Sequence, residues 1–376
     1  FNNAEMTSNN RFFSTDTLTT DAETPTLQVT GGTYTTTGQA FGMDVLYSSP
    51  VTFTDATVTA GTGPCIEVCG PAATFTDCKF TVTGENSNGF GTTSVAVSYG
   101  GSAVINGGTY SAENGYGAYV YNSGGSITVK DGTVSGGDAA IKADKSIQSG
   151  TSSIITVEGG STEGAWETND AENAPLVVMG GTHTVDVTKY LAEGCTLTEN
   201  EGTYTVQEDQ AVQVGDQYYG TLERAFANAG QGDTVKLLAD IELTETQDVT
   251  VADITLDLNG KTISGSVSST GLIRVGNGAS LTVTDLSSAE TKGTITNTAS
   301  SLPYCLRIEE GSTLTLERGV NITDAGGSTS GAAVYVYPNT SGTNLPVLTV
   351  KKCKSHISKG FPDKRAQQLV WCDREH

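Results

Sequence analysis

SAVINGGTYSAENGYGAYVY, residues 102–121, decides how this chain is read. An alternating apolar stretch runs into Gly-Gly-Thr, and the phrase returns as TLQVTGGTY (26–34), PVTFTDATV (50–58), SITVKDGTV (126–134) and PLVVMGGTH (175–183). The first Gly or Asp of each phrase serves as a register mark: Gly31, Asp55, Asp77, Gly107, Asp131, Gly159 and Gly180. Four positions before it stand Leu27, Val51, Ala73, Ala103, Ile127, Ile155 and Leu176. Two before it stand Val29, Phe53, Phe75, Ile105, Val129, Val157 and Val178. Three after it stand Tyr34, Val58, Phe80, Tyr110, Val134, Thr162 and His183.

Period-two spacing before the mark gives a strand with one inward face. Gly or Asp at the mark then turns the chain, because Gly accepts positive φ and Asp closes an Asx turn. Stacking such coils sets like residues above one another at the inter-strand spacing of ~4.8 Å. The expected fold is all-β, a parallel β-helix whose irregular intervals reflect loop insertions.

The second half repeats the phrase in another form. Leu256, Leu258 and Ile263 surround Gly260, followed by Leu281 with Val283, Leu314 with Leu316, and Leu348 with Val350. Shorter strands, LIRVG (272–276) and CLRIEEG (305–311), lie between. A seam separates the halves. DVTKYLAEG (186–194) reads as a short helix capped by Asp186, and TLTENEGTYTV (196–206) as a hairpin turning at Glu201-Gly202. Leu222, Ala225, Phe226 and Ala229 then share a helical face behind the N-cap Thr221, suited to covering the open end of a second solenoid. The expected organisation is a lead-in over 1–24, a first β-helix with its cap over 25–207, a second over 208–350, and a basic tail over 351–376. The tail begins in register at Cys353 and Ile357, then loses all alternation.

Charge narrows the partners. Twenty Lys and Arg face 42 Asp and Glu, a net charge of −22, which repels phosphate backbones and anionic lipid. No run of 18 apolar residues offers a membrane span. FNNAEMTSNN (1–10) lacks the character of a signal peptide, so the chain reads either as cytosolic or as a mature or excised part of a secreted protein, and the acidity and the Thr, Ser and Gly content favour secretion. The seven cysteines (65, 69, 78, 195, 305, 353 and 372) include no C-x-x-C pair, and with only three His they give little support to a zinc site. Cys65, Cys69 and Cys78 are close enough in sequence for one disulfide; the alternative is small buried thiols.

The phrases VINGGTYS (104–111), VTKYLAEGCTLTENEGTYTV (187–206), YGTLERAFANAGQGDTVKLLADI (219–241) and ITLDLNGKTISG (254–265) resemble right-handed β-helix repeats of the pectin-lyase-like superfamily, most nearly those of large extracellular proteins of gut bacteria. The resemblance spans roughly 25–350. It implies a right-handed β-helix at a bacterial surface, and it implies no catalysis, because that superfamily holds lyases, hydrolases, adhesins and plain stalks.

Catalytic sets of the superfamily do not carry over. A lyase would abstract a proton with Arg or Lys beside calcium-holding carboxylates, yet no arginine lies between Phe12 and Glu223. The Gly-His-Gly and Arg-Ile-Lys of a polygalacturonase are both missing. His183 occupies an inward column, the place of a satisfied or cap-facing side chain. Three candidate groups remain. Asp55 and Asp77 share a mark on adjacent coils, ~4.8 Å apart, a spacing that suits a retaining carboxylate pair or calcium as well as a turn. Arg274 and Arg307 face outward on adjacent coils with Glu309 in reach, either a site for an acidic sugar or a solvated Arg–Glu ladder. Outward tyrosines, Tyr47, Tyr99, Tyr119 and Tyr121 with Tyr335 and Tyr337, offer faces to sugar rings or proteins. These readings converge on a non-catalytic extracellular rod for adhesion or display, binding glycan or a surface protein, with no cofactor unless calcium. The alternatives are a lyase or glycoside hydrolase of acidic glycans, and an inert stalk.

Overall fold

The computed structural model describes residues 2–9, 12, 26–37, 44–46, 50–70, 72–85, 92–288, 290–317, 319–324, 331–337, 344–351 and 369–370. Tyr47, Cys353, Ile357, Cys372 and nearly all of the basic tail lie outside them. The described chain is nearly all β, its strands gathered into mostly parallel sheets. No helix among the described residues is long and apolar enough to cross a membrane. Two compact units divide between Gln207 and Glu208.

In the first unit the sequence columns are ladders of hydrogen-bonded neighbours. Leu27, Val51, Ala73, Ala103, Ile127, Ile155 and Leu176 are successive register partners, each opposite the next on parallel strands. The same holds from Val29 through Phe53, Phe75, Ile105, Val129 and Val157 to Val178. It holds again from Tyr34 to His183. All of these but Leu27 are buried. Stacking places aromatic on aromatic: Phe75 meets Phe53 at 5.8 Å, Phe80 at 5.3 Å and Tyr110 at 6.4 Å between ring centroids. Backbones approach so closely at the turns that a Cβ on Gly108, at φ +92, would stand 2.1 Å from the carbonyl oxygen of Cys78. A second, six-stranded parallel sheet runs through Ile66–Cys69, Thr92–Ser98, Gly115–Val120 and Ala139–Ala143.

The far end of this unit departs from the expected helix. Only a 3-10 turn forms, Thr188–Tyr190, because Leu191 is already extended at ψ 126. Asp186 still organises it, accepting from the Thr188 amide at 2.9 Å. The hairpin of Cys195–Asn200 and Thr203–Glu208 turns through Glu201 and Gly202, both at positive φ. Its second strand pairs antiparallel to Gly181–His183. Beneath it, His183 Nδ1 lies 2.8 Å from Thr162 Oγ1, which also accepts from Trp166 Nε1. Trp166 stacks on Tyr190.

In the second unit the chain visits three sheets in strict rotation. One contains Thr234–Leu237, Ile254–Asp257, Ser280–Thr284, Thr313–Leu316 and Val347–Val350. The next contains Ile241–Leu243, Thr262–Gly265, Thr294–Asn297 and Asn321–Asp324. The third, called here the arginine sheet, is Gln247–Val249, Ile273–Val275, Tyr304–Ile308 and Ala332–Val336. The helix Leu222–Asn228, with Thr221 accepting from the Arg224 amide, buries Leu222, Ala225 and Phe226 in this unit's core. Corners are held by buried carboxylates. Asp257 Oδ1 accepts from the amides of Asn259 and Leu286, and Asp285 accepts from those of Gly260, Ser287 and Gly293.

Candidate ligand-binding face of the second unit

Strand alternation fixes what the arginine sheet presents. Ile273 and Val275 enter the core, so Arg274 between them points the other way, and Ile308 does the same for Arg307. Parallel registry then lays Asp248, Arg274, Arg307 and Tyr335 in one row across four strands. Arg274 donates from Nε to Asp248 Oδ1 at 2.6 Å and from Nη2 to Oδ2 at 2.5 Å, a fork-to-fork pair. Those bonds raise the pKa of the Arg274 side chain despite its partial burial. Arg307 is held on three sides: Nε lies 2.8 Å from Glu309 Oε1, Nη1 donates to the carbonyl of Ser269 at 2.9 Å, and the guanidinium sits 4.4 Å from the ring centre of Tyr337. This ordering separates the two like charges into two compensated pairs.

Aromatic rings continue the row. Half-buried Tyr335 stacks on the buried Tyr304 at 4.3 Å with ring planes 9° apart, and Tyr337, 41% exposed, meets Tyr335 edge-on. Beside the Asp248–Arg274 pair opens a cleft of about 1090 Å³, lined by Asp248, Arg274, Asn277, Glu309, Glu310 and Asn344 among others. Turns contribute to its lining. Asn277, Gly278, Gly311 and Asn344 are all at positive φ, and the Gly311 amide donates to the Asn344 carbonyl at 2.8 Å.

Elsewhere the candidate residues fare differently. Asp55 and Asp77 sit at φ 54 and 51, the left-handed conformation of turn residues. The Asp77 carboxylate lies against the backbone of the next coil, its Oδ1 2.3 Å from where a Cβ on Gly107 would be. Both serve as turn residues. No group of three His, Cys, Asp or Glu among the described residues is arranged to hold a metal ion. Tyr99 is at a turn with φ 50 and is 48% exposed.

Tyr119 and Tyr121 correct the expectation of an open aromatic face, since each is only 7% exposed. They form a cluster with Ala96 apart from the main core, rings 4.2 Å from each other. Tyr119 donates to Asp144, and Lys142 lies over the Tyr116 ring while donating to its hydroxyl at 2.9 Å. Facing away from the core is not the same as facing water: large rings along one strand and its end cover one another.

Sequence reasoning missed Asp248 and Tyr304. Asp248 stands in QDV (247–249), which pairs in register with IRV (273–275) but has Gln where that strand has Ile, so its alternation does not show in the sequence. Cys65, Cys69, Cys78, Cys195 and Cys305 are buried thiols. His183 is fully buried, and burial lowers its pKa to about 4.

No protein-family model matches the chain, and no curated protein or solved structure matches it significantly.

Proposed function

We propose that the chain is a non-catalytic extracellular module of two right-handed parallel β-helices, akin to the pectin-lyase-like superfamily, which displays the arginine sheet of its second unit to carbohydrate at a bacterial surface. Strands that return to the same parallel sheet once per circuit support the β-helical reading. The binding reading rests on one observation: half-buried Tyr335 and exposed Tyr337, the latter braced on Arg307, lie next to a polar cleft through the Arg307–Glu309 pair. Sugar rings combine apolar C–H faces with a hydroxyl edge, so they favour an aromatic platform beside planar hydrogen-bonding groups. Planar groups are present as the carboxylates of Asp248 and Glu309 and the guanidinium of Arg274.

Glycan-array binding by the full chain, compared with its Tyr337→Ala and Tyr335→Ala variants, tests this. Glycan binding that both variants weaken supports the reading. Binding unchanged in both, or sugar turnover by the native chain, removes it.

A further inference from the structure

We infer that the cleft selects neutral, hydroxyl-rich saccharides and rejects uronic, sialylated and sulfated ones; this rests on the carbohydrate-binding reading above. An exposed arginine pair ordinarily suggests an anion site, and here the partners of the arginines reverse that. Among the described charged residues lining the cleft, Asp248, Glu309 and Glu310 are acidic and Arg274 alone is basic. Arg274 already faces a carboxylate through two bonds, and Arg307 behind it is held by Glu309, the Ser269 carbonyl and Tyr337. A ligand carboxylate would either displace Asp248, exchanging one ion pair for another with no gain, or take the remaining Arg274 N–H groups beside a carboxylate that already balances their charge. It would also carry its charge towards Glu309 and Glu310.

A hydroxyl pair meets no such opposition. Each carboxylate offers about four lone-pair positions, and Arg274 takes one on each oxygen of Asp248. Vicinal hydroxyls can therefore donate to Asp248 or Glu309 while accepting from the three Arg274 N–H groups that Asp248 does not engage. Asn277 adds an amide group to the lining. The Asp248–Arg274 pair thus presents alternating acceptors and donors fixed in one plane, a pattern that matches neighbouring sugar hydroxyls and not an anion.

The test titrates the full chain with neutral oligosaccharides and with size-matched uronic, sialylated and sulfated ones, at low and at tenfold higher salt. The native chain should favour the neutral set by at least about tenfold, with affinity little changed by salt. Asp248→Asn, which leaves Arg274 uncompensated, should narrow or invert that preference. Native binding that favours the acidic set and weakens with salt overturns this inference while leaving the carbohydrate-binding reading intact. Binding of neither set by the native chain overturns both. The native ranking decides the matter even if the variant fails to fold.

Discussion

Asp248 and Arg274 are direct register partners on adjacent parallel strands, joined by two hydrogen bonds on the outer side of the arginine sheet. Their side chains are 46% and 36% exposed, so water screens the pair and the Coulomb gain is small. Arg274→Met should therefore lower unfolding stability by no more than about 1 kcal/mol, measured by denaturant titration. A loss of several kcal/mol would show that the pair supports the fold instead of shaping the cleft.

Much of this arrangement is legible in the sequence, for a definable reason. In parallel stacking every residue neighbours its counterpart one circuit away, so a column of matching letters becomes a physical ladder. That is why Leu27, Val51 and Ala73 could be aligned by eye and prove to be register partners. The same logic placed Arg274 opposite Arg307. It fails where strands shrink to three residues, as at Gln247–Val249, too short to show alternation. It fails also for Tyr119 and Tyr121, because alternation gives direction while exposure depends on the volume of neighbouring side chains. The DVTKYLAEG stretch misled because one capped turn carries the same start and stop signals as a longer helix.

Phe75 stands at the centre of the first unit's aromatic stack and is fully buried. Phe75→Ala removes a ring whose neighbours are tied to a rigid ladder and cannot collapse into the space. The expected cost is about 3–5 kcal/mol, with Phe75→Leu costing visibly less. Equal effects for both in thermal unfolding would mean that the stack is loosely packed.

Asp285 joins three backbone segments, with its side chain shielded from solvent. Burial pushes its pKa up, but bonds from Ser287, Gly293 and Gly260 outweigh this and the net shift is downward. Its contribution is thus present above the unfolded carboxylate value and is lost as pH falls through the lower folded one. Asp285→Ala would leave those amides unsatisfied and should cost about 2–4 kcal/mol at neutral pH. Retained stability in that variant would show that water replaces the carboxylate.

Cys65 is fully buried, and burial pushes its thiol up to about 12; Cys78 is raised to about 11. Thiolate is the reactive form, so both should resist alkylation in the folded protein and react only after unfolding. Peptide mapping after brief iodoacetamide treatment, with and without denaturant, reads this directly. Labelling of Cys65 under native conditions would contradict the packing described.

His183 closes the aromatic cluster beneath the hairpin of the first unit, and its protonation links that end of the fold to pH. Burial depresses its pKa from 6.5 to about 4, opposed by a bond involving the Gly180 backbone. Its Nε2 has no partner among the described residues, so a second ring proton would place an unpaired charged N–H in the interior. Between these two pKa values the unfolded chain binds a proton that the folded chain refuses, so stability rises with pH across that window. The contribution is complete above pH 6.5 and declines as pH falls towards about 4. At about 1.4 kcal/mol per pH unit, the ceiling is roughly 3 kcal/mol. Exposed carboxylates titrate near the lower edge of this range, so the quantity to follow is the difference between native chain and His183→Gln. That difference should change progressively from pH 6.5 downward, and a difference independent of pH would mean that the folded histidine accepts its proton in place.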